Sequence, residues 1–298
     1  MTAPWSVTDH YENFPVGSLL LPPAQRAAVG ALYRFARYAD DVADEGDAAP
    51  AARRDELDRL DGAVRRLGLG QPPGHPAVDA LAAPARRHGL PVRPLHDLLS
   101  AFRQDVDPVR HADFASVRDY CRRSADPVGR LMLRIAGVAD AHADALSDRI
   151  CTGLQLVNFV QDVGPDWRRG RLYLPLDELH AAGLHEAAID AAVRAAEAGA
   201  GTPARLRALL GAQTARARAL LESGAALPAR LPRRLGWEVR LILGGGLRIC
   251  DRLAAAAHDV LAVPVRLRAG DAAAVAALAW RVRRTARAPL APSSQTCR

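Results

Sequence analysis

Apolar residues recur at the spacing of an α-helix through most of this chain, and short stretches rich in proline and glycine interrupt them. Alanine, leucine and arginine are abundant, β-branched runs are scarce, and aromatic residues make up only 5% of the sequence. Such a composition favours helices over strands. The sequence therefore predicts a single all-α domain over residues 1–286, followed by a disordered tail at 287–298.

The charge balance does not indicate a nucleic-acid partner. The formal net charge is +7, but the basic side chains are all arginine and are spread along the chain without a basic arm. The four cysteines form no CxxC pair, which argues against a zinc ribbon. Neither a signal peptide nor an apolar run of the roughly 18–20 residues needed to cross a membrane is visible. We expect a cytoplasmic protein that at most contacts the inner face of a membrane peripherally.

A first polar stripe lies on the helix predicted from about residue 24 to residue 44. Tyr33, Arg37, Asp40 and Asp44 are spaced 4, 3 and 4 apart and share one face of this helix. The rest of the helix is apolar, so these charges sit on an element expected to be buried. Because buried carboxylates need a cation, this stripe predicts a metal site or a carboxyl group with a shifted pKa.

A second polar stripe lies on the helix predicted from residue 143 to about residue 163. Gln155, Asn158, Asp162 and Asp166 are spaced 3, 4 and 4 apart on an otherwise apolar helix. Pro165 removes a helical hydrogen bond nearby, so Asp166 is expected at a kink or just past the helix end. Asp162 is therefore the safer ligand of the two acids.

Two helices that each present oxygen ligands suit Mg²⁺, which completes its coordination with water and with phosphate oxygens. The chain lacks GxxxxGK[ST], so a nucleotide held by a P-loop is not expected. The glycines at 244–246 lack the GxGxxG spacing, so no nicotinamide cofactor is expected, and these glycines predict close helix packing instead. The residues alone thus indicate a magnesium-dependent enzyme that acts on a diphosphate between helices.

Three longer motifs resemble those of the squalene/phytoene synthase family, which joins or rearranges isoprenoid diphosphates. They are ADDVADEGD at 39–47, YCRRSADPVGRLML at 120–133 and LQLVNFVQDVGPDWRRGRLYLP at 154–175. The opening HYENFPVGSLLLP at 10–22 is similar to the hopanoid-pathway branch that makes hydroxysqualene from presqualene diphosphate. The resemblance implies an isoprenoid synthase-like helical bundle with a central cavity.

The resemblance also implies roles for individual residues. The implied magnesium ligands are Asp40, Asp41, Asp44, Asn158, Asp162 and Asp166. The implied catalytic residues are Tyr33, Arg37 and Tyr120, with Asp162 counted among them. The implied substrate-binding residues are His10, Asn13, Phe14, Gln155, Gln161 and Arg171. Gln161 stands where many family members carry arginine, and Asn13 stands where condensing members carry serine; both departures fit a branch that handles one diphosphate substrate.

The implied reaction is ionisation of presqualene diphosphate, rearrangement of the carbocation and capture by water, with no reductant. The alternative within the family is head-to-head condensation of two farnesyl or geranylgeranyl diphosphates. A non-catalytic helical binding protein on the same fold, and a basic RNA-binding protein, are the alternatives from other classes. An isoprenoid diphosphate is the expected partner, and pathway enzymes are further candidates.

Overall fold

Several helices of this chain begin with a proline in the first turn, a position where proline favours helix initiation. The computed structural model describes residues 22–285, which form a single all-helical domain. The first seven helices are α1 Pro23–Asp44, α2 Pro50–Gly68, α3 Pro76–His88, α4 Arg93–Val106, α5 Phe114–Ser124, α6 Asp126–Ile135 and α7 Ala141–Gln161. The remaining six are α8 Val163–Arg168, α9 Leu176–Ala181, α10 Glu186–Glu197, α11 Ala204–Ser223, α12 Arg233–Ala255 and α13 Ala272–Thr285. No strand occurs among these residues, which confirms the predicted all-α class. The expected tail at 287–298 lies outside the described residues.

Helix α7 lies at the centre of the domain, because most of its side chains are buried. It packs on α6, α11 and α12. Glycines allow these close approaches: a Cβ added to Gly246 on α12 would lie 2.8 Å from Leu154 of α7, and one added to Gly153 would lie 2.9 Å from Leu221 of α11. The expectation that the glycines of α12 serve helix packing is therefore confirmed.

The predicted helix boundaries near the polar stripes are close to those observed. Helix α1 ends at Asp44 as predicted, and Arg53 of α2 donates hydrogen bonds to the carbonyl oxygens of Val42, at 3.1 Å, and Ala43, at 2.7 Å. These bonds satisfy carbonyl groups that a helix end leaves without partners. Helix α7 ends at Gln161, about two residues before the predicted position, and Asp162 separates it from α8.

None of the helices between residues 22 and 285 combines the length and the hydropathy that a membrane crossing requires.

Candidate active site

Three carboxylates at or just past the end of α1 share one arginine. Arg37 Nη1 lies 3.1 Å from Asp40 Oδ2, and Arg37 Nη2 lies 2.7 Å from Asp41 Oδ1 and 2.8 Å from Glu45 Oε1. Tyr33, one turn earlier, is half-buried and close enough to act electrostatically on the guanidinium. Arg37 therefore serves three acids, and of these only Asp40 belongs to the first predicted stripe.

Asp44 faces a second arginine that comes from the other side of the site. Arg171, in the segment after α8, donates from Nη1 to Asp44 Oδ2 at 2.9 Å and from Nη2 to Asp44 Oδ1. Nη2 also donates to the backbone oxygen of Asp105 at 3.0 Å. Arg171 is 8% exposed as a residue, so it forms a two-point, largely desolvated ion pair.

The second stripe spans the junction of α7 and α8. Gln155 and Asn158 are half-buried on α7, Asp162 is exposed at the junction, and Asp166 is half-buried on α8. The backbone N–H of Asp166 donates to the carbonyl oxygen of Asp162 at 2.8 Å, which keeps the two acids one helical turn apart. The junction thus preserves the stripe that the spacing predicts, although α7 itself has ended.

The two stripes repel each other electrostatically. Burial and the Asp44 carboxylate raise the pKa of Asp40 to about 7, although 39% of its side-chain surface is exposed. Burial and the Asp162 carboxylate raise the pKa of Asp166 to about 7, and Asp44 contributes to this shift from α1. The arginines therefore do not neutralise all the negative charge gathered here.

The side-chain oxygens of the two polar stripes are of the kind that magnesium binds. Carboxylate and amide oxygens are the ligands that this cation prefers, usually one or two carboxylates together with phosphate oxygens. Among residues 22–285, no three histidine, cysteine or acidic side chains are already arranged to hold a metal ion. Three of the acids that would bind it are paired with arginines in this structure: Asp40 and Asp41 with Arg37, and Asp44 with Arg171.

An aromatic cluster borders the two polar stripes. Tyr173 stacks on Phe159 of α7, with ring centroids 4.0 Å apart and planes inclined by 10°. The ring of Tyr120, on α5, lies 5.1 Å from that of Tyr173. Both tyrosine hydroxyls donate to Asp105, Tyr120 to Oδ2 at 2.7 Å and Tyr173 to Oδ1 at 3.0 Å.

Asp105 and Tyr173 did not emerge as site residues from the sequence. Asp105 lies seven residues after the buried Leu98 and four after the buried Ala101, so an acid on the apolar face of α4 was the available signal. Tyr173 belongs to the GRLYLP motif, in which the family resemblance implies a role for Arg171 alone.

The remaining predicted residues lie elsewhere or outside the described residues. Gln161 donates from Nε2 to the carbonyl oxygen of Val265 at 2.5 Å, which ties the end of α7 to the segment before α13. His10, Asn13 and Phe14 lie outside the described residues. A surface hollow of about 640 Å³ lies beside α2 and includes none of the predicted site residues.

Comparisons with known proteins show what the whole chain is similar to. The sequence model of the squalene/phytoene synthase family matches residues 7–271. A hydroxysqualene synthase of Sinorhizobium fredii is 40% identical over 255 residues, which cover 85% of this chain and 83% of the relative. A phytoene synthase of Mycobacterium tuberculosis is 36% identical over 172 residues, covering 58% of this chain and 56% of the relative. The crystal structure of squalene synthase HpnC from Alicyclobacillus acidocaldarius superposes with a TM-score of 0.73 and 34% identity, covering 84% of this chain and 90% of that one.

Proposed function

We propose that this chain, which belongs to the squalene/phytoene synthase family and is an enzyme acting on isoprenoid diphosphates, converts presqualene diphosphate to hydroxysqualene with release of diphosphate. One observation carries the proposal: two acidic stripes meet around Asp44 with more carboxylate charge than Arg37 and Arg171 balance. Such a site suits a ligand that brings its own cations. The similarity to hydroxysqualene synthase over most of both chains supports this branch of the family.

The proposed magnesium ligands are the oxygen-bearing side chains of the two stripes, Asp40, Asp41, Asp44, Asn158, Asp162 and Asp166. Bound magnesium would supply neutralisation of the negative charge that develops on the departing diphosphate. Burial and neighbouring carboxylates raise the pKa of Asp40 and of Asp166 to about 7, so added positive charge would favour the ionised form of both.

The arginines of the site act on the same departing charge. Arg37 contacts three acids and Arg171 contacts Asp44 through two nitrogens, so both guanidiniums lie where a phosphate group would meet the stripes. Planar guanidiniums bind phosphate in the same two-point geometry as carboxylate. We infer that each guanidinium moves part of its hydrogen bonding from carboxylate to phosphate when the diphosphate binds.

The aromatic cluster is suited to the carbocation that ionisation leaves. Phe159, Tyr173 and Tyr120 pack ring against ring, and we infer that this cluster presents a π-face to the cation. A cation over such a face gains about 0.5–2 kcal/mol, and the rings do not react with it. Gln155 is proposed as a further lining residue, and His10, Asn13 and Phe14 as the phosphate-side strip that precedes α1.

The alternative activity is head-to-head condensation, and the similarity to a phytoene synthase favours keeping it as a candidate. The two are separated by incubating the purified protein and magnesium with farnesyl diphosphate, with geranylgeranyl diphosphate and with presqualene diphosphate in separate tubes. Hydroxysqualene from presqualene diphosphate alone is expected. A product from either allylic diphosphate alone would assign the chain to the condensing branch, and folded protein inactive in all three tubes would favour a non-catalytic role.

The place of action is also a proposal. Hydroxysqualene is insoluble in water, so we propose a cytoplasmic enzyme that releases its product at the inner face of the membrane. Pathway enzymes that consume the alcohol are proposed partners there, and no nucleic-acid partner is proposed.

A further inference from the structure

Asp105 has an unusual set of partners for a half-buried carboxylate. It accepts one phenol hydroxyl on each oxygen, from Tyr120 at 2.7 Å and from Tyr173 at 3.0 Å. The three side chains come from α4, from α5 and from the segment after α8, so tertiary packing brings them together. Carboxylates inside proteins are commonly paired with a cation or with backbone N–H groups. Here the hydrogen bonds to the carboxylate come from two neutral donors that can also act as acceptors, while the charge of Arg171 acts without a hydrogen bond to either carboxylate oxygen.

Asp105 is also linked to the proposed leaving-group site through its backbone. The backbone oxygen of Asp105 accepts a hydrogen bond from Arg171 at 3.0 Å, and the same guanidinium holds Asp44. Burial raises the pKa of Asp105, while Arg171 and the two phenols offset part of that rise. A carboxylate with a raised pKa is a better proton acceptor than an exposed one.

Tyr173 is the phenol better placed to meet a water molecule. Tyr120 is 4% exposed, whereas Tyr173 is only half-buried. Stacking on Phe159 at 4.0 Å fixes the plane of the Tyr173 ring, and its hydroxyl lies 3.3 Å from that of Tyr120. The Tyr173 oxygen therefore has a defined position, with its own proton directed at Asp105.

Resting on the function proposed above, we propose that Tyr173 and Asp105 form a proton relay for the water that captures the carbocation. A lone pair of the water oxygen forms the new C–O bond. One proton of that oxygen passes to Tyr173 Oη as the Tyr173 hydroxyl proton passes to Asp105 Oδ1. Asp105 becomes a neutral acid and later returns the proton to solvent, and nothing is oxidised or reduced. Tyr173 is the catalytic residue of this step, and Asp105 positions it and takes its proton.

The carbocation can also lose a proton instead of capturing water, and the balance between these two products can be measured. Without an acceptor for the water proton, the cation loses a proton from an adjacent carbon and gives a hydrocarbon with an additional double bond. The ratio of hydroxysqualene to this hydrocarbon therefore reports on the relay, whatever the rate of ionisation. A merely structural role would change total turnover and leave the ratio unaltered.

The experiment measures this ratio and the released diphosphate for the full-length protein with magnesium and presqualene diphosphate. We expect Tyr173→Phe and Asp105→Asn to lower the ratio at least about tenfold, since positioned proton acceptors typically contribute about 10²–10⁴-fold. Tyr173→Phe keeps the ring that stacks on Phe159 and so tests the relay even if Asp105→Asn fails to fold. Asp105→Glu, which keeps the acceptor, is expected to restore part of the ratio.

Matched controls come from a tyrosine–carboxylate bond outside the site. Tyr38 donates to Glu56 at 2.7 Å, so Tyr38→Phe and Glu56→Gln remove the same chemical groups and are expected to leave the ratio unchanged. An unchanged ratio in Tyr173→Phe, or an equal fall in the controls, would overturn the relay while leaving the proposed function standing. Wild-type protein that leaves presqualene diphosphate intact would overturn both.

Discussion

Asp162 allows the metal-binding proposal to be tested with little effect on stability. It is exposed at the α7–α8 junction, so an amide in its place does not leave a buried partner without its hydrogen bond. We expect Asp162→Asn to lower kcat by roughly 10²–10³-fold, the range found when one group that stabilises developing charge is removed. The activity is to be measured at saturating presqualene diphosphate over a magnesium titration. The control is Asp55→Asn, which changes an exposed acid beside the surface hollow; equal activity in both variants would contradict the ligand assignment.

Arg171 is expected both to stabilise the fold around Asp44 and to contact the diphosphate. Replacing it by methionine leaves the Asp44 carboxylate, 14% exposed, without its two-point partner. Removing one member of a buried ion pair typically costs about 3–5 kcal/mol, so Arg171→Met is expected to lower the free energy of unfolding by about that amount. Arg168→Met is the control, because its pairing with Glu197 is mostly exposed and such pairs contribute about 0–1 kcal/mol. Urea unfolding that gives equal losses would show that the Arg171 pair is not desolvated in solution.

The packing of α6 on α7 depends on a small residue. A Cβ added to Gly129 would lie 2.3 Å from Ser147 Oγ and 2.6 Å from Cys151 Sγ, and both of these side chains are buried. Gly129→Ala is therefore expected to destabilise the protein by about 1–3 kcal/mol through overpacking. Gly62→Ala on α2, where the nearest atom would be the end of the Arg66 side chain at 3.7 Å, is expected to be neutral or stabilising. Thermal unfolding of both variants measures the difference, and a stabilised Gly129→Ala would contradict the packing.

The same helix pair contains a buried acid that makes stability depend on pH. Burial and the Asp148 carboxylate raise the pKa of Asp126 to about 7, from an ordinary 3.8, while Thr152 donates to it at 2.8 Å. Between these two pH values the unfolded chain has lost the proton that the folded chain keeps. The unfolded state is thus favoured as the pH rises, and Asp126 contributes a loss of up to about 1.4 kcal/mol per pH unit.

Asp126→Asn removes this dependence. The free energy of unfolding is to be measured in urea at about pH 5 and about pH 7, with a chelator present so that metal binding does not contribute. We expect the variant to gain stability relative to the wild type as the pH rises. Asp40 and Asp166 titrate in the same range in both proteins, so the difference between the two curves isolates Asp126. Parallel curves would contradict the raised pKa.

Over the whole molecule, the sequence predicts which residues share a face of one helix. It does not predict which side chains of different helices contact each other. The end of α1 at Asp44, and the end of α7 to within about two residues, follow from local spacing and from Pro165. The pairing of Arg171 with Asp44 spans 127 positions, and it depends on how α1 and the segment after α8 pack. No periodicity within either segment contains that information.

The Asp105 cluster illustrates the same limit. In the sequence Asp105 and Asp107 look alike, but the first lies on the inner side of α4 and the second follows the helix and pairs with Arg54. Only the fold decides which acid meets the phenols of Tyr120 and Tyr173. The two polar stripes were predictable because the residues of each are close in sequence. The first lies on α1, and the second lies on α7 and continues into α8.

The central claim is that the enzyme breaks the carbon–oxygen bond to diphosphate and that water then captures the cation. Incubation with magnesium and presqualene diphosphate in oxygen-18 water tests it most directly, with the alcohol and the released diphosphate analysed by mass spectrometry and a chelator-treated sample as control. The account predicts hydroxysqualene that carries the solvent oxygen, unlabelled diphosphate and no product with the chelator. An alcohol that retains the substrate oxygen, with the label in the diphosphate, would show cleavage at phosphorus and contradict the account.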